Sequence, residues 1–177
     1  MGSDHGASVN GASVNGADVN GAMDQRAIEA AIPHRAPFLF VDRVIERTHD
    51  TIVTEWDIRP DLFAFRGHYP GFPVLPGVLI SEFTFQSAAI LFSEPGSPAV
   101  TSSAVPVLTK IEDARFRKIV RPGETLRAAV ETVERIGPAR YMKAHVTSGG
   151  ATVLKLRFTV ALTEALESTE SNASTRP

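Results

Sequence analysis

The sequence predicts an α+β domain in which an antiparallel sheet wraps one long central helix. Two observations predict it. Residues 77–92, GVLISEFTFQSAAILF, contain no proline and a single charge, and at about 1.5 Å per residue they make a helix of about 25 Å. Four strand-like runs follow at 106–117, 124–134, 139–148 and 151–163, separated by RPG (121–123), IGP (136–138) and SGG (148–150). Turns this short join antiparallel neighbours.

The remaining elements follow in chain order. Residues 6–20 read GASVN, GASVN, GADVN, with one valine per unit. So little apolar surface does not offset chain entropy, so 1–22 is expected to be a disordered low-complexity extension. Asp24 is placed to cap a short helix through Ala31. Pro33 and Pro37 bracket a turn, and 38–47 and 51–58 read as strands joined by THD. Residues 59–76 hold Pro60, Pro70, Pro73 and Pro76 with Gly67 and Gly71, and are expected to be a shaped loop. SEPGSPAVTSS (93–103) is a second loop. The polar segment 166–177 is expected to be a flexible tail, leaving 23–165 as a single domain.

Bulk properties narrow the function. The chain has 177 residues and 19.0 kDa, enough for one domain with a substantial core. A net charge of −2 gives no global attraction to nucleic acid. The absence of cysteine excludes disulfides, thiolate nucleophiles and cysteine-ligated metals. No apolar run approaches the roughly 18 residues of a membrane span, and the N-terminus has no basic segment leading into an apolar one. A soluble cytoplasmic protein without membrane or nucleic-acid partners is expected. The five histidines show no metal-ligand spacing, so no metal is expected.

The chemistry concentrates in GHYPGFPVLPGVLISEFTFQ (67–86). Glu82 is the only charge from Val78 to Phe92, and three of its neighbours at helical spacing, Val78, Leu79 and Phe85, are apolar. A carboxyl that loses hydration favours its neutral form, the form a general acid needs. The fourth neighbour, Gln86, is placed to hydrogen-bond and orient it. A glutamate on the helix edge, reaching water, fits the same spacing. His68 lies among Gly67, Pro70, Gly71, Pro73 and Pro76, a stiff backbone that suits an aimed base. A loop histidine bonded to a carbonyl fits equally well, and this structural role is the one expected of His5, His34, His49 and His145. Pro76 is preorganised for a first helical turn, so the amides of Gly77 and Val78 are free to face a carbonyl oxygen that gains charge. Base, acid and oxyanion donor together point to proton chemistry beside a carbonyl. G-x-S-x-G, Walker and GxGxxG patterns are absent.

Three blocks, IPHRAPFLFVDRVIE (32–46), GHYPGFPVLPGVLISEFTFQSAAIL (67–91) and IEDARFRKIVRPGETL (111–126), resemble the signature blocks of the (3R)-hydroxyacyl-[acyl-carrier-protein] dehydratases of the FabZ type, in family order. The resemblance implies a hotdog fold and conversion of a 3-hydroxyacyl thioester to the trans-2-enoyl thioester in fatty-acid or related biosynthesis. It implies that His68 and Glu82 are the catalytic pair, contributed by different subunits of a homodimer that often assembles into a hexamer. It implies that the Gly77 amide meets the thioester carbonyl, with Val78 beside it, and that Gln86, Tyr69 and Gly71 support the site. The substrate is then carried on the phosphopantetheine of acyl carrier protein, and no other cofactor is implied. Carrier proteins are acidic, so Arg115, Arg117, Lys118 and Arg121 are candidates for docking, and a solvated strand face is the competing reading. Glutamate at the acid position, where isomerising relatives carry aspartate, favours dehydration alone. The chain departs from the family at Tyr69, Phe72, Ser81 and Ser87, and in a longer approach to His68. Other expectations held open are a hotdog thioesterase, a hydratase acting on coenzyme A esters, and a non-catalytic subunit of a heteromeric dehydratase. Retention of both His68 and Glu82 argues against the last.

Overall fold

The structure is a computed structural model and describes residues 22–93 and 104–164. The expected N-terminal extension, the C-terminal tail and most of the 93–103 loop lie outside the described residues.

Helix α1 (Gln25–Ala31) begins where expected, with the Asp24 carboxylate accepting from the Ala27 amide at 2.9 Å. Strands β1 (Arg43–Arg47) and β2 (Thr51–Asp57) form a hairpin, and helix α2 (Gly77–Phe92) follows the loop. Strands β3 (Ala104–Phe116), β4 (Thr125–Ile136), β5 (Ala139–Ser148) and β6 (Ala151–Glu164) complete a single sheet in the order β1-β2-β4-β5-β6-β3, all neighbours antiparallel. Gly149 and Gly150, both at positive φ, make the tight β5–β6 turn that residues with a Cβ resist.

Alternation along the strands sends one set of side chains inward. Ile52, Thr54 and Trp56 of β2, Leu126, Ala128 and Val130 of β4, and Met142, Ala144 and Val146 of β5 are all buried. Helix α2 packs against β2 and β4 and also against β6 and β3, so the sheet curves around it. That is the hotdog arrangement. Trp56 anchors the core, with its ring centroid 4.7 Å from Phe40 and 5.7 Å from Phe83 of α2. The helix also carries buried polar side chains, and those of Thr84, Gln86 and Ser87 are hydrogen-bonded. Ser87 donates to the Phe83 carbonyl at 2.7 Å, so in the 2.7 Å contact with Thr54 the threonine hydroxyl donates. Serine at 87 therefore has a strand partner waiting for it. Among the described residues no helix is long and apolar enough to cross a membrane.

Two expectations are corrected. The strand expected over 38–47 begins only at Arg43, because the Phe40 amide and the Phe38 carbonyl are bonded to the side chain of Gln86 and not to a neighbouring strand. The loop over 59–76 contains one turn of 3-10 helix, Phe63–Arg66, in its proline-free part.

Candidate active site

The loop between the 3-10 turn and α2 presents His68. Its backbone amide donates to the Ala64 carbonyl at 3.0 Å, and the Leu75 amide donates to the Val120 carbonyl at 2.9 Å, tying both ends of the loop to the body. The imidazole Nδ1 lies 2.9 Å from the Val74 carbonyl oxygen. A carbonyl only accepts, so Nδ1 carries the proton and Nε2 keeps its lone pair. The half-buried ring meets Tyr69 edge-on at 4.4 Å between centroids. Tyr69 sits at φ +53°, a left-handed conformation costing of order 1 kcal/mol, and Gly71 follows at φ +84°. The strain turns the chain sharply beside the imidazole.

Glu82 lies one turn into α2 from the loop, with its side chain 24% exposed. Its Oε1 accepts from Gln86 Nε2 at 3.1 Å. Gln86 is fully buried and held on three sides, since its Oε1 accepts from the Phe40 amide at 2.8 Å while Nε2 also donates to the Phe38 carbonyl at 2.9 Å. These bonds fix which end of the amide faces Glu82. A third residue joins them that spacing did not single out: His34 Nε2 stands 3.7 Å from Glu82 Oε1. Burial pushes the His34 imidazole below its ordinary value, Glu82 draws it back up, and Arg35 lowers it further. Sequence reasoning gave His34 a structural role, because the proximity arises only when the 32–42 segment folds over α2.

The start of α2 is open. Leu79 donates to the Pro76 carbonyl at 3.0 Å, but among the described residues the amides of Gly77 and Val78 have no acceptor, and the Val78 side chain is 72% exposed. A Cβ at Gly77 would sit 2.9 Å from the Phe116 ring of β3, so any side chain here would have to push that ring aside. Two free N–H groups at the positive end of a helix dipole can bind an oxygen that gains charge. Among the described residues no hydrogen bond or ion pair joins His68 to Glu82, and no three His, Asp or Glu side chains gather as a metal site.

A loop histidine held through Nδ1, a carboxyl held by an amide and a free helix N-terminus all fall within residues 32–157, the region matched by the model of the FabA-like domain family. The chain is also 37% identical over 145 residues to the 3-hydroxyacyl-[acyl-carrier-protein] dehydratase FabZ of Solibacter usitatus, covering 82% of this chain and 88% of that protein. The chain belongs to the FabZ-type dehydratase family. The FabZ protein of an Anaeromyxobacter species is similar too, at 36% identity over 144 residues, 80% of this chain and 91% of its own. Solved structures agree on the fold. The dehydratase heterocomplex ApeI:P of Xenorhabdus doucetiae aligns with TM-score 0.64 at 14% identity, over 77% of this chain and 90% of its own. An uncharacterized protein of Pyrococcus horikoshii aligns with TM-score 0.59 at 18% identity, over 77% and 93%.

In this FabZ-type chain the basic run 115–121 is not a uniform patch. Arg115 pairs with Asp113 at 2.7 Å and Lys118 pairs with Glu124. Arg117 is exposed and has no carboxylate partner among the described residues. The Arg121 guanidinium lies 4.5 Å above the Phe72 ring, so Phe72, one of the departures from the family pattern, holds a cation beside the loop that carries His68. A cavity of about 520 Å³ lies elsewhere, on the outer face of the sheet among Val53, Ala129, His145 and Lys155, and includes none of the site residues.

Proposed function

We propose that this FabZ-type enzyme dehydrates a (3R)-3-hydroxyacyl thioester on acyl carrier protein, with His68 as base and Glu82 as acid. The observation that carries the roles is the Val74 carbonyl on His68 Nδ1, which leaves the lone pair of the neutral ring on Nε2. Nε2 takes the proton from C2. The developing negative charge settles on the thioester oxygen, where the amides of Gly77 and Val78 and the dipole of α2 receive it. Glu82 protonates the C3 hydroxyl, the C3–O bond breaks, the C2–C3 double bond forms and water leaves. The imidazolium and carboxylate then exchange a proton through solvent, restoring the pair. The elimination involves no redox change, so on this reading the phosphopantetheine that carries the substrate is the only prosthetic group.

The same reading makes the enzyme a cytoplasmic homodimer built on the domain 23–165. In one chain His68 and Glu82 keep separate partners, which supports a site completed by Glu82 of the partner subunit. Strand β3 supports it as well. Among the described residues it is an edge of the sheet, and Val107, Leu108, Ile111 and Phe116 along it are 45%, 38%, 51% and 49% exposed. Such an edge pairs with another strand or invites aggregation. Association of dimers into a hexamer extends the reading. Arg117 and Arg121, less so the paired Arg115 and Lys118, would steer the acidic carrier protein to the site.

The test is turnover by purified enzyme with 3-hydroxyacyl thioesters of graded length on carrier protein and on coenzyme A. His68→Ala and Glu82→Gln are each expected to reduce dehydration at least a thousandfold while the oligomer survives. Unchanged turnover in either variant would reject the assignment. Release of free thiol without enoyl absorbance would mark a thioesterase, and an inert homomer a non-catalytic subunit.

A further inference from the structure

The acid's surroundings are more specific than the reaction requires. Gln86 cannot be flipped, because its oxygen is committed to the Phe40 amide, so an N–H faces Glu82 Oε1. His34 brings a second nitrogen, Nε2, to the same oxygen at 3.7 Å. Glu82 Oε2 has no hydrogen-bond partner among the described residues. The other His34 nitrogen, Nδ1, is buried and without a hydrogen-bond partner. A proton on Nδ1 would bury an unpaired donor, whereas a proton on Nε2 faces a carboxylate. The neutral Nε2–H form is therefore the one this pocket favours. The charged groups that bear on the ring are Glu82 from α2 and Arg35 from its own segment, and burial outweighs the attraction of Glu82.

On the reading that Glu82 is the acid, we propose that His34 is a positioning residue: as a neutral N–H donor beside Gln86 it claims Oε1 of Glu82 and so assigns the transferable proton to Oε2. An oxygen that receives two N–H groups serves as acceptor, and the proton is carried by the oxygen that receives none. Neutrality is essential to the device. A cation at this place would stabilise the carboxylate and take away the acid. Burial favours the uncharged imidazole, and the unpaired Nδ1 leaves the remaining proton to Nε2. At 3.7 Å the contact is open, and a shortening of about 0.5 Å, of the kind catalytic contacts show on substrate binding, makes it a hydrogen bond.

The experiment compares His34→Gln, His34→Ala and His34→Lys in the full-length oligomer, with Glu82→Gln alongside, measuring kcat, KM and melting temperature on a 3-hydroxyacyl thioester. Glutamine places a neutral N–H near the position of Nε2. Alanine is expected to lower kcat about tenfold with KM within twofold, glutamine to restore kcat to within threefold of the parent, and lysine to fall below alanine. Three results would overturn the proposal: full kcat in His34→Ala, glutamine no better than alanine, or lysine equal to glutamine. If alanine does not fold, the glutamine and lysine variants, similar in length and differing in charge, still decide. A dead Glu82→Gln beside indifferent His34 variants would sink this inference and leave the acid assignment standing, whereas an active Glu82→Gln would sink the assignment itself.

Discussion

Gln86 fixes the carboxyl of Glu82, and its cost and benefit are both local. It is a fully buried amide in an apolar helix, tolerated because all three of its contacts are good hydrogen bonds. Replacement by leucine keeps the volume but orphans the Phe40 amide and the Phe38 carbonyl. Gln86→Leu is expected to lose about 3 kcal/mol, read as a fall of roughly 10 °C in melting temperature. Because Glu82 loses its anchor, kcat should also drop about tenfold. A melting shift under 2 °C would contradict the bonding described. The Gln86–Glu82 contact was legible as an i, i+4 pair, because helix geometry alone makes it. The Gln86 bonds to residues 38 and 40 and the approach of His34 were not legible, since no periodicity links segments that far apart.

At the scale of elements, the loop after β3 is clamped to the β5–β6 turn by one carboxylate. Glu124 accepts from Ser148 Oγ at 2.6 Å and from the Arg121 amide at 2.9 Å, and pairs with Lys118. Burial pushes this carboxyl up, but the bonds from Lys118, Ser148 and Arg121 outweigh it and hold it below its ordinary 4.5. The folded state thus favours the ionised form. Its stabilisation is complete above pH 4.5 and is lost as the pH falls through the lower folded-state value. Glu124→Gln is expected to be about 1 kcal/mol less stable at pH 7, and denaturant midpoints should converge with the parent in acid. A gap that does not narrow as the pH falls from 4.5 toward full protonation would refute the clamp. Helix α2 runs over the residues its sequence predicts, because the neighbouring proline and the polar stretch bound one apolar block. The strand expected over 38–47 is shortened because a buried glutamine claims its backbone.

At the scale of the whole molecule, β3 is an edge strand among the described residues, and His68 and Glu82 make no contact with each other there. On the proposed dimer one association answers both. Ile111→Lys, a charge at the middle of that edge, is expected to shift the mass by light scattering toward the monomer, with the circular dichroism of the chain retained. Dehydration should fall with the dimer, since neither chain alone completes a site. A variant that remains a fully active dimer would place the interface elsewhere.

By itself the sequence determined both helices, the six strands with only the first begun too early, the family and the residues at which to look. These are properties of local periodicity, turn chemistry and motif, all carried by neighbours in the chain. The tertiary structure decided the tautomer of His68, the fixed orientation of Gln86, the presence of His34 beside Glu82 and the approach of the Phe116 ring to Gly77. Each depends on where distant segments come to rest against one another, and packing alone sets that.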